Sequence, residues 1–122
     1  MTVTVRRPPV TPLRRTHLRA WLLLLLRDTP SHGYAMRRAL LDRGLHCDAG
    51  TVYRLLAQMR TDGLVMRVDG LVSMRAGAGG GPERRCYSLT AAGRLELDDA
   101  VTVMRTERTA LSGYLTLAKE SR

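Results

Sequence analysis

Residues 31–63 read SHGYAMRRALLDRGLHCDAGTVYRLLAQMRTDG, and their reading decides the fold. The stretch predicts two short helices joined by a tight turn. Ser31 is placed to cap the first, which runs from His32 to about Arg43. Tyr34, Leu40 and Leu41 form its apolar side, and Arg37 and Arg38 its wet side. Gly44 follows, the residue type that most readily takes the positive φ at a helix C-terminus. After a turn over Leu45–Cys47, Asp48 caps a second helix that carries Val52, Tyr53, Leu55, Leu56 and Met59 and ends near Asp62 and Gly63. Two helices so joined, the second opening on small and polar residues, make a helix-turn-helix.

In that motif the first turn of the second helix meets base edges in the major groove. The residues presented here are Ala49, Gly50, Thr51, Tyr53 and Arg54. Thr51 can contact a thymine methyl or a phosphate, and Arg54 can reach guanine or backbone. Ala49 and Gly50 are small enough to let the helix end approach, its positive dipole end toward phosphate. A surface helix with a merely solvated arginine has the same local pattern, so the flanking segments decide.

Upstream, residues 1–10 carry Arg6, Arg7, Pro8 and Pro9 and no acid, which reads as a flexible basic arm. A helix is predicted from about Pro12, a tolerated first-turn proline, to Arg27. Its second half, Leu18 and Trp21–Leu26, is apolar all round and belongs at the centre of the core. Asp28-Thr29-Pro30 stops it. Downstream, strand-like stretches at Leu64–Val68 and about Arg84–Leu89 flank Asp69–Pro82, a loop rich in glycine. Three helices followed by an arginine-bearing, two-stranded wing make a winged helix. Arg67, Arg75, Arg84 and Arg85 are placed to neutralise phosphates, although Arg84 and Arg85 alternate faces and one can pack inward or pair with Glu83.

The expected fold class is therefore mainly α with a small β-hairpin. A winged helix-turn-helix spans 11–90, after the arm at 1–10 and before a long C-terminal dimerisation helix at 91–122. The charge follows this division. The 122 residues hold 20 Lys+Arg against 11 Asp+Glu, a net +9, and Lys119 is the single lysine. Residues 1–90 hold 15 basic and 6 acidic side chains, and residues 91–122 hold five of each, so the whole excess lies on the first segment. Arginine forks match phosphate oxygens and guanine edges, which puts double-stranded DNA first among partners and leaves an acidic membrane surface as the rival.

Other classes fall away. Cys47 and Cys86 are 39 residues apart, and His17, His32 and His46 do not complete a four-ligand set, so no metal is expected. No cofactor loop, carboxylate pair or nucleophile–base signature points to an enzyme. The run Trp21–Leu26 is far short of the ~20 residues that span a bilayer, and no signal peptide is visible. A cytoplasmic protein with reduced thiols and no membrane association is expected.

The pieces resemble the PadR-like transcriptional regulators. The resemblance rests on Leu22–Leu26, His32-Gly33-Tyr34, Gly50-Thr51-Val52-Tyr53-Arg54-Leu55-Leu56, Asp62-Gly63-Leu64-Val65 and Arg84-Arg85-Cys86-Tyr87-Ser88-Leu89-Thr90-Ala91-Ala92-Gly93. It covers about residues 18–95, in order and in spacing. It departs at Ala49, where the family commonly has proline, at Cys86, where tyrosine is frequent, and in the long glycine-rich wing loop. The resemblance implies a winged-helix DNA-binding domain, a C-terminal dimerisation helix and repression of nearby genes relieved by a small molecule. The single C-terminal helix is similar to the short subgroup.

Thr90 caps that helix, which runs from Ala91 to about Lys119 and would be on the order of 40 Å long. Leu97, Val101, Met104, Arg108, Leu111, Leu115 and Ala118 recur every 3.5 residues on average, the seam of helix-on-helix packing. A chain of this size cannot bury the whole stripe against three helices, so a second copy is the natural cover. Folding of the seam onto the first helix is the other reading, and the start can pack in cis while the end packs in trans. Arg108 interrupts the seam, so it should pair with Glu107 or Asp99, reach solvent or face a cavity.

The resemblance further implies an effector pocket between subunits, where the last helix meets the first. The matching positions are His17, Ala20, Trp21, Met104 and Arg108. Trp21 offers a stacking face or serves as an ordinary core or interface tryptophan, Met104 is adaptable, and Arg108 suits an anionic ligand. The function expected is a homodimeric repressor on a palindromic operator, responsive to a small molecule. The alternative is a winged helix used only for protein–protein contact.

Overall fold

A computed structural model describes residues 11–68 and 85–120. Among the described residues four helices carry the architecture: α1 (Arg15–Leu25), α2 (Gly33–Asp42), α3 (Ala49–Thr61) and α4 (Ala91–Glu120). Five short strands connect them: β1 (Thr11–Pro12), β2 (Ser31–His32), β3 (Leu45–His46), β4 (Val65–Arg67) and β5 (Cys86–Leu89). This is a winged helix followed by a long C-terminal helix.

The core lies where α1, α2 and α3 converge under the sheet. Leu18, Leu22, Leu23, Leu26, Met36, Leu40, Val52, Leu55, Leu56 and Met59 are all almost fully buried. Each large aliphatic side chain so buried contributes about 1.5–3 kcal/mol, which makes this cluster the main stabilising element. The sheet closes one side of it, and β5 is its central strand. β4 pairs antiparallel with β5 through Val65 opposite Leu89, Met66 opposite Ser88 and Arg67 opposite Tyr87. On its other edge β5 takes β2, Ser31 opposite Tyr87 and His32 opposite Cys86.

The expected β4–β5 hairpin is present and β2 adds a third strand to it, a pairing that corrects the expected cap. Ser31 does not cap α2. Its backbone is in the sheet, His32 stands at the N-cap without a side-chain hydrogen bond, and the helix begins at Gly33. The first helix also starts later than its proline suggested. Thr11–Pro12 pairs in parallel with Leu45–His46, and the Leu13 amide donates to the His46 carbonyl at 3.2 Å. Helix α1 ends at Leu25 instead of Arg27, with the Leu26 amide reaching back to Leu22 and Leu23.

The α2 face is rotated relative to expectation. Gly33, Met36 and Leu40 are buried, whereas Tyr34 is exposed. The cause is the crossing of α2 and α3. A Cβ at Gly33 would stand 2.6 Å from the Tyr53 ring, so this glycine must face α3 and Tyr34 is turned outward.

Both ends of α3 and the start of α4 agree with the local signals. The Asp48 side chain accepts from the Thr51 amide at the start of α3. At its end Gly63 takes φ +81°, its amide donates to the Arg60 carbonyl and the Leu64 amide to the Met59 carbonyl, a Schellman closure. Thr90 Oγ1 accepts from the Gly93 amide at 3.0 Å and donates to the Gly63 carbonyl at 2.6 Å, tying the start of α4 to the end of α3. With 30 residues, α4 is about 45 Å long. Only its root is covered: Gly93 and Leu97 are buried, and beyond Met104 every residue is exposed.

Candidate nucleic-acid interface and adjoining hollows

The start of α3 is fixed from behind. Arg37 of α2 donates through Nε to the Cys47 carbonyl at 3.0 Å, which pins the turn that enters the helix. Nothing in the sequence pattern marked Arg37 for this role, because it stands on the wet face of α2. Asp48 then accepts from the Thr51 amide at 3.1 Å and from the Thr51 hydroxyl at 3.3 Å. The hydroxyl in turn accepts from Arg54 Nη2 at 3.3 Å. These bonds hold the Asp48 carboxyl below its ordinary value, the Thr51 amide first and the Thr51 hydroxyl second, with Arg54 and Arg37 adding to them.

The structure brings Ala49, Gly50, Thr51 and Arg54 together in one exposed or half-exposed first turn. Tyr53 differs from them. It is half-buried, packs against the core and lies against Gly33, so its ring serves the α2–α3 crossing. Arg85 is exposed at the start of β5. Arg75 and Arg84 lie outside the described residues, as do the basic arm and the wing loop.

The second region is the junction of α1 and α4. Arg19 reaches across it, donating through Nε to Glu96 Oε2 at 2.6 Å and through Nη1 to Asp62 Oδ2 at 3.2 Å. One half-buried guanidinium thus joins α1, α4 and the end of α3. Farther along, His17 Nε2 stands 2.8 Å from Glu107 Oε1.

Two hollows flank this junction. One of about 330 Å³ is bordered by Ala20, Leu23, Val103, Glu96 and Asp99. The other, of about 570 Å³, is bordered by Leu13, Trp21, Leu45, Arg108, Leu111 and Leu115. His17, Met104 and Glu107 line both. The residues expected around an effector are therefore divided: Ala20 faces one hollow, Trp21 and Arg108 the other, and His17 and Met104 both. Trp21 packs against the core, and the Arg43 guanidinium lies 5.8 Å from its ring centroid. Arg108 is exposed and makes no ion pair among the described residues. Leu13 and Leu45 were not foreseen, since only the β1–β3 pairing sets them beside Trp21.

Leu97, placed at the head of the seam, is buried in the core of its own chain at 7% exposure. Val101, Leu111 and Leu115 are exposed at 40%, 63% and 64%, as is Ala118. Tyr114 and Leu117 add two large apolar side chains to this uncovered length. Among the described residues no group of side chains could hold a metal ion, and no helix is long and apolar enough to cross a membrane.

Comparison with known proteins bears on this architecture. Residues 22–99 match the Transcriptional regulator PadR-like family. No curated protein matches. A PadR family transcriptional regulator from Eggerthella lenta DSM 2243 is 25% identical, with a TM-score of 0.64 over 83% of each chain. A PadR family transcription regulator from Clostridium difficile R20291 is 20% identical, with a TM-score of 0.67 over 81% of this chain and 98% of that one. Bacillus subtilis PadR, crystallised in complex with operator DNA, is 23% identical with a TM-score of 0.57. That match covers 70% of this chain and 46% of the Bacillus protein.

Proposed function

The chain belongs to the PadR-like family of transcriptional regulators, and from that premise we propose that it is a homodimeric repressor of nearby genes, bound to a palindromic operator and responsive to a small molecule. The observation that carries this reading is the accessible start of α3, with Gly50 and Thr51 half-exposed and Arg54 exposed, in a chain whose last helix leaves an apolar column uncovered. The first is suited to the major groove, with Gly50, Thr51 and Arg54 toward base edges and Arg75, Arg84 and Arg85 toward phosphates. The second is suited to a copy of itself. A two-fold pair would present two α3 helices about one DNA turn (~34 Å) apart. The operator complex of the Bacillus relative supports the DNA part.

The dimer contact would use Val101, Met104, Leu111, Leu115 and Ala118, with Leu97 left to the chain's own core. The effector would lie in the hollows at the α1–α4 junction, where a second α4 would complete the wall. Trp21 offers it a ring face and Met104 an adaptable one, while Arg108 brings a positive charge.

The test is salt-dependent DNA binding together with mapping of bound genomic sites. Affinity should fall steeply with salt because phosphate contacts release counterions, and bound sites should be palindromic and promoter-proximal. Salt-independent binding of a protein partner, with no bound DNA sites, would favour the protein-interaction module instead. Titration of small molecules against Trp21 fluorescence tests the effector, and silence across a broad panel would remove it.

A further inference from the structure

The N-cap of α3 is an exposed carboxylate, Asp48, beside Gly50, Thr51 and Arg54. Asp48 Oδ2 accepts from the Thr51 amide and hydroxyl, and that hydroxyl accepts from Arg54. Donor and acceptor roles are unambiguous, because the carboxylate only accepts and the guanidinium only donates. A Cβ on Gly50 would stand 3.1 Å from Arg54 Nη1 and 3.2 Å from Asp48 Oδ2, so acid and guanidinium converge over this glycine. Asp48 and Arg54 are both exposed, and no burial forces them together.

We propose that Asp48 is a positioning residue that determines DNA specificity, by occupying the α3 N-terminus against phosphate and, through Thr51, holding Arg54 ready for a base edge. The inference rests on the DNA-binding reading above. An unoccupied helix N-terminus takes phosphate of any sequence. A carboxylate there fills the amide and repels the backbone. The cost falls mainly on arbitrary DNA, whose binding consists almost entirely of phosphate contacts. On the operator, Arg54 exchanges Thr51 for a base, and its restricted starting position favours that exchange over capture by a nearby phosphate.

Asp48→Ser and Asp48→Asn both keep a capping side chain without the charge. Each is compared with the wild type on two duplexes of about three helical turns (~30 base pairs), over a salt series. One duplex has mixed sequence, and the other is the duplex that wild-type protein enriches from a randomised pool. The variants should bind mixed-sequence DNA about tenfold more tightly, with a salt slope steeper by about one contact. Affinity for the enriched duplex should be unchanged or lower, so that the specificity ratio falls about tenfold or more. A ratio and slope equal to wild type, with only the melting temperature moved, would reduce Asp48 to a cap and overturn the proposal. A wild type that binds neither duplex would overturn the DNA-binding reading along with it.

Discussion

Arg19 Nε lies 2.6 Å from Glu96 Oε2, a polar tie between the root of the last helix and the first that adds to the burial of Gly93 and Leu97. The same guanidinium reaches Asp62, which also accepts from Gln58 at 3.0 Å. The group is about a quarter exposed, so the bonds are only partly screened. Arg19→Met is expected to cost about 1–3 kcal/mol in chemical denaturation, in the range of hydrogen bonds to charged groups. A loss below a few tenths would show that apolar contacts alone orient α4.

The glycines of α4 differ in what surrounds them. A Cβ at Gly93 would collide with the Leu64 carbonyl, which is backbone and cannot swing away. Gly113 has nothing within 4 Å. Gly93→Ala should therefore lower stability by about 1–3 kcal/mol, the range for overpacking. Gly113→Ala should raise it by up to about 1 kcal/mol through helix propensity. Thermal unfolding at matched protein concentration distinguishes the two.

Leu97 and Leu111 belong to one seam but differ in burial, the first in the core of its own chain and the second exposed. Leu97→Ala should destabilise the folded chain by about 2–5 kcal/mol, as for other buried leucines. Leu111→Asp should leave the monomer folded and abolish the dimer in sedimentation. A stable dimer of the Leu111→Asp variant would refute the proposed interface.

The Asp48 cap makes a pH-dependent contribution whose sign follows from its lowered carboxyl. A carboxyl lowered on folding contributes stability that is fully present above its unfolded value. That stability is lost as pH falls through the folded value. Asp48→Asn should differ most from wild type near neutral pH, and the two denaturation curves should converge in acid. A constant difference down to strongly acidic pH would deny the carboxylate this role.

Burial raises both the Cys47 and the Cys86 thiol above the ordinary value. Both should stay protonated and react slowly with a thiol reagent at neutral pH, with rapid labelling only on unfolding. Fast labelling of either in the native protein would indicate local opening of the α2–α3 turn or of β5.

The α3 cap at Asp48, the Gly63 closure and the Thr90 cap of α4 were legible because each is a bond between residues a few positions apart. The core positions Val52, Leu55, Leu56 and Met59 were legible for a similar reason, since helical periodicity repeats every turn. Most of the first turn of α3 was visible in this way. Tyr53 stands apart from the others, half-buried against the core with its ring beside Gly33 of another helix.

The amino-acid sequence by itself thus determined the winged-helix order, the arginine-rich first segment and the long last helix. Tertiary structure alone decided that Ser31–His32 would join β5 and that Thr11–Pro12 would find Leu45–His46. Two-residue strands have no periodicity to read, and their partners lie far away along the chain. It also divided the seam, burying Leu97 and leaving Val101, Leu111 and Leu115 exposed. Leu97 and Leu111 are the same residue type in the same heptad pattern. What separates them is distance along α4, for a helix of about 45 Å outruns a three-helix core.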